Sequence, residues 1–139
     1  MNEILERCKE HIDAVGGDCE LFCQGDKCVL HIKLKNCVLP SRMVAAMSDE
    51  ETLSLLCDVV TVSADKYANL LLLASEMNAT FPYCIARVTQ SNDGNYTLTL
   101  VRFDLDVNEA NCTEHCDYGV CSMEFEINKI AHRINELFM

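Results

Sequence analysis

The sequence predicts an α+β fold, an antiparallel sheet of about five or six strands with three helices in the order α-β-β-β-β-α-β-β-α. Three observations predict it. Apolar residues recur at helical spacing in three separate stretches. Alternation at period two fills most of the chain between them. Helices do not alternate one by one with strands, so the strands are expected to pair antiparallel through short turns.

The first helix is expected over residues 3–15. Ile4, Cys8, Ile12 and Val15 share a face, with Leu5 beside them. Glu3, Glu6, Lys9 and Glu10 fill the other face. Asn2 suits an N-cap, and Gly16 and Gly17 stop the helix. A strand follows in which Cys19, Leu21 and Cys23 alternate with Glu20, Phe22 and Gln24. After a turn at Gly25 and Asp26, Cys28, Leu30, Ile32 and Leu34 alternate with His31, Lys33 and Lys35. One face of such strands packs and the other meets water. Pro40 ends the run.

Residues 42–47 and 52–62 read as two more strands around a turn at residues 48–51. Residues 49–56 also suit a helix start, but the β-branched run Val59, Val60, Thr61 and Val62 favours strands. The main helix is expected over 63–78, with Ser63 as N-cap and Asp65 in the first turn, where the helix dipole favours it. Leu70, Leu71, Leu72 and Leu73 make it apolar nearly all round. Residues 83–89 and 96–107 form a hairpin, because Asn92, Asp93, Gly94 and Asn95 supply the turn. Leu98 and Leu100 share a face, but the parity then shifts to Phe103, Leu105 and Val107. One extra residue near Val101 and Arg102 accounts for the shift, so a β-bulge is expected there. The last helix is expected over 121–137, its stripe formed by Ile127, Ile130, Ile134 and Leu137.

Composition bounds the function. The 139 residues, half of them hydrophobic, suffice for one core, so residues 1–139 are expected to form a single domain. No run of 18 apolar residues suggests a membrane span, and the N-terminus lacks an apolar signal core. A cytoplasmic protein is expected. The net charge of −11 repels phosphate backbones, so nucleic acid is not expected as partner, and without an apolar span neither is a membrane. A protein partner fits better. The ten cysteines are expected to be reduced thiols, mostly in the core, and the domain is expected to fold without disulfides.

The sharpest cluster is Cys112, His115, Cys116 and Cys121. Thiolates with an imidazole are ligands that zinc favours. Their spacing is irregular, so loop and core thiols are expected, with Cys112 and Cys116 exposed; a thiol- or metal-dependent sensor is the alternative. Cys84 and His31 are a thiol and an imidazole that nothing in the sequence brings together. Asp104 and Asp106 point to one side of a strand, which reads as a solvated strand face. Met43, Met47, Met77 and Met123 read as core filling. No catalytic constellation emerges, so a non-enzymatic binding protein without cofactor is expected. Phe22 and Leu56 fall on strand faces opposite their apolar neighbours. With Leu70 and Leu72 they are the candidate interface of a homodimer.

The stretch MVAAMSDEETLSLLCDVVTVSADKYANLLLLASEMN, with the hairpin that ends in TLTLVRFDLDV, resembles the YbjN-like family. That family is related in fold to bacterial type III secretion chaperones of the Tir-chaperone kind. The resemblance rests on a hairpin, a helix ending in Met77 and Asn78, and a strand pair turning at Asp93 and Gly94. It implies a chaperone-like or regulatory binding protein, dimeric, and supplies no catalytic residues. The cysteine load and the Cys/His cluster near residue 115 depart from its pattern.

Overall fold

The computed structural model describes residues 2–39, 41–80 and 83–138, apart from the side chains of Asn2 and Asp104. The expected stop at Pro40, the N-cap role of Asn2 and the Asp104 carboxylate therefore lie outside the described set.

Helix α1 spans Asn2–Ala14 and is followed by β1 (Cys19–Gln24), β2 (Lys27–Leu34), β3 (Ser41–Met47) and β4 (Thr52–Val62). A 3-10 turn over Ala64–Lys66 leads into α2 (Tyr67–Thr80). Then come β5 (Ile85–Gln90), β6 (Tyr96–Asp106) and α3 (Cys112–Phe138). The strands form one antiparallel sheet in the order β1-β2-β3-β4-β6-β5. The α+β class and the element order expected from the sequence both hold, and residues 42–62 lie in two strands rather than a helix.

Alternation builds the sheet. Leu30, Ile32, Met43, Leu55, Cys57 and Leu100 all turn to the side where the three helices pack, and each is at most 2% exposed. Burying each large aliphatic chain here contributes about 1.5–3 kcal/mol. The β5–β6 turn uses Gly94 at φ 87°, a conformation that costs other residues a clash with Cβ. Asp93 Oδ1 accepts from the Asn95 amide at 3.1 Å and completes the turn. The expected bulge is present. Between the pairs Leu55↔Arg102 and Leu53↔Leu105, β6 advances three residues while β4 advances two.

Four expectations are corrected. First, α3 begins at Cys112, not Cys121. Asn108 starts it by accepting from the amides of Ala110 and Asn111 at 2.8 and 2.9 Å. Gly119 sits inside the helix, where a Cβ would run into the Leu55 side chain. Second, Cys112 and Cys116 are fully buried on that helix instead of exposed on a loop. Third, Ser63 does not cap a helix by its side chain; its hydroxyl donates to Asp65, ahead of the 3-10 turn. Fourth, Cys23 and Cys28 are joined in a disulfide. They are directly opposite across the β1–β2 hairpin, which places them within bonding reach. The other eight cysteines are free.

Candidate docking face

All three helices lie on one side of the sheet, and the opposite side is open. The register places His31, Val44, Leu56, Val101 and Ile85 in one row across five neighbouring strands. At about 4.8 Å per strand the row is about 19 Å long. A second row holds Phe22, Val29, Ala46 and Ser54. Leu56 is 39% exposed, Phe22 50%, Ile85 53% and Phe103 47%. Val101, in the middle, is only 2% exposed.

Ring contacts hold this surface in place. Phe22 meets His31 edge-on at 4.9 Å. The Arg87 guanidinium lies 5.8 Å over the Phe103 ring. The bulge in β6 leaves Phe103 on the open side and restores Leu105 to the core. The rim carries both signs of charge. Lys27, Lys33, Arg42 and Arg87 are exposed there beside Glu20 and Asp58, so basic residues gather on this face of an acidic protein.

Of the four expected interface residues, the sheet brings only Phe22 and Leu56 together. Leu72 is 46% exposed on α2, away from the open face. Leu70 is corrected to core, since it is fully buried against the sheet. Ile85 and Phe103 escaped the sequence reading. Ile85 falls off the parity of buried Cys84 and Ala86, as Phe22 and Leu56 do on their strands. Phe103, grouped by its sequence parity with Leu105 and Val107, instead keeps the face of Thr99 and Val101, because the extra residue comes after it.

The Cys/His cluster is scattered along α3. Cys112 and Cys116 are one turn apart and face Cys8 of α1, whose thiol donates to the Cys112 carbonyl at 3.7 Å. Hydrogen bonding with the Cys116 thiol, and burial, push the Cys8 thiol far up. Cys121, five residues beyond Cys116, points about 140° away and is exposed. Among the described residues no group of three or more His, Cys, Asp or Glu is placed to hold a metal ion. Cys84 is buried against Met123, its Sγ 3.8 Å from Sδ, and burial pushes its thiol to about 12. His31 lies on the opposite side of the sheet. Met43, Met77 and Met123 are core, as expected.

One buried polar group has no role in the sequence reading. Glu126 of α3 is 2% exposed, and neither carboxylate oxygen makes a hydrogen bond of normal geometry among the described residues. Burial raises its pKa, while the Cys84 thiol and amide and the nearby Arg102 pull it part of the way back. Arg102 itself stacks 4.0 Å over the Tyr83 ring and donates to the Tyr83 carbonyl at 3.3 Å.

No protein-family model and no curated protein matches this chain. Among solved structures it is similar to YbjN from E. coli, described as a candidate transcription regulator. The TM-score is 0.63 and the identity 16%, over 93% of each chain. At that identity the likeness is one of fold, and the YbjN-like fold expected from the sequence is the one the chain adopts. Among the described residues no helix is long and apolar enough to cross a membrane.

Proposed function

We propose that this chain is a non-enzymatic, protein-binding regulator of the chaperone-like kind, acting as a homodimer that docks through the open face of its sheet. The observation that carries this reading is the row His31, Val44, Leu56, Val101 and Ile85, flanked by Phe22 and Phe103, with no helix over it. Apolar surface of this continuity is a mark of an interface.

A second copy is the occupant that the face fits. Its apolar middle can pack on itself across a two-fold axis, and closed two-fold dimers are the commonest soluble assembly. The basic and acidic rim residues can then pair between copies. A six-stranded face is about 24 Å across and, at six residues per strand, about 20 Å long. Its flat area of about 480 Å² is more than half of the roughly 800 Å² per partner found in stable complexes.

The likeness to YbjN supports regulation, and the net charge of −11 favours regulation exerted through protein contact rather than on DNA. Binding is favoured over catalysis because Cys84 and His31, a thiol and an imidazole, are split between the two sides of the sheet.

Light scattering at high micromolar concentration tests the reading. A mass of twice 15.6 kDa is expected. Leu56→Glu and Ile85→Glu should each give a folded monomer, while Leu72→Glu leaves the dimer intact. A monomeric parent protein would sink the proposal. So would a dimer split by Leu72→Glu and untouched by Leu56→Glu.

A further inference from the structure

The hairpin β1–β2 carries a tie that bears on the docking face. The last β2–β3 pair is Val29↔Ala46. Beyond it, Cys28 and Lys27 pair with β1 only, against Cys23 and Gln24. The hairpin tip is therefore a two-stranded ribbon, and such ribbons are marginal in water without further support. Residues 22–27 are all exposed, so little packing holds the tip. The covalent link at Cys23 and Cys28, with Cα atoms 4.1 Å apart, holds it instead. The pair next to that link is Phe22↔Val29, the outer end of the second apolar row.

We infer that Cys23 and Cys28 form a reversible thiol–disulfide latch that fixes Phe22 in the docking face, so that oxidation strengthens docking and reduction weakens it. The inference rests on the docking reading above and adds its regulation. The co-reactant is a small-molecule disulfide. The thiolate of exposed Cys23 attacks one sulfur of that disulfide, giving a mixed disulfide and releasing one small thiolate, which takes up a proton. The Cys28 thiolate then attacks Cys23 Sγ, closing the protein disulfide and releasing the second small thiol. The two protein thiols are oxidised and the small disulfide is reduced to two thiols. A dithiol reductant reverses both steps. Cys23 is the entry point because Cys28 is only 8% exposed. The other free thiols are poor competitors where burial raises them, to about 11 at Cys19 and Cys37 and to about 12 at Cys57 and Cys84.

The test compares the full chain after glutathione disulfide, the same chain after dithiothreitol, and the Cys23→Ser/Cys28→Ser double variant. Peptide mapping should find Cys23 and Cys28 linked to each other in the first and as two thiols in the second, whatever happens at exposed Cys121. Amide exchange at residues 22–28 should rise about tenfold on reduction and equally in the double variant. The dimer dissociation constant should weaken by about tenfold, the scale of burying roughly half a Phe side chain. Unlinked Cys23 and Cys28 after oxidation, or equal exchange in the two redox states, would overturn the latch. A dissociation constant unchanged by reduction would overturn its link to docking. A monomer in both states would defeat the docking reading instead, and the exchange data would still decide the latch.

Discussion

Gly119 of α3 lies directly on Leu55 of β4, so closely that a Cβ at Gly119 would overlap the Leu55 side chain. Leu55 is fully buried and at the centre of the sheet. The missing side chain is what lets the helix reach it, and through it α3 covers the middle of the core.

Gly119→Ala is therefore expected to destabilise the fold even though alanine favours helices. Overpacking here costs about 1–3 kcal/mol, and the gain in helix propensity offsets about 1 kcal/mol of it. Denaturant midpoints measure the net loss. In a Leu55→Ala background the same change should cost nothing, because the atoms it meets are gone. A stabilised single variant would show that the helix can simply move outwards.

Glu126→Gln is expected to stabilise the protein at high pH and to leave it unchanged at low pH. Burial raises the Glu126 pKa, so the folded state holds its proton longer than the unfolded chain does. The stability linked to that proton is fully present below the ordinary carboxylate range and is lost as pH rises through the folded value. Glutamine is neutral at every pH and avoids the loss. The gain at pH 8 should be on the order of 1 kcal/mol, or about 4 °C in melting temperature. Melts of parent and variant at pH 4 and pH 8 check this, and a gain of equal size at both would show that protonation is not the cause.

Leu70→Ala and Leu72→Ala separate core from surface within one turn of α2. Leu70 is fully buried and should lose about 2–5 kcal/mol. Leu72 is 46% exposed and should lose less than about 1 kcal/mol. Equal losses would mean that α2 has a different covered face.

Cys116→Ser should destabilise by about 1–3 kcal/mol, since the hydroxyl replaces a thiol that is fully buried among Cys8 and Cys112. Cys121→Ser, on the exposed side of the same helix, should change little. Chemical denaturation distinguishes them, and a neutral Cys116→Ser would show that this junction is wet or loosely packed.

Periodicity alone determined which elements form and how they follow one another, though not where α3 begins. Alternation in 19–34 and 96–107 predicts strands, and the stripe through Ile127, Ile130 and Ile134 predicts a helix, because each pattern matches one backbone repeat. The bulge too was readable, as a shift of parity between Leu100 and Leu105, but not which side Phe103 would take. Only the tertiary structure decided what touches what. That Gly119 admits Leu55 depends on a strand some 60 residues earlier in the chain. Whether Leu70 or Leu72 is covered depends on which side of an all-apolar helix meets the sheet. The pairing of Cys23 with Cys28 follows from hairpin register, and the row from His31 to Ile85 draws one residue from each of five strands. A periodic pattern records one element's own face. A site assembled across five strands is fixed by register, which no single strand encodes.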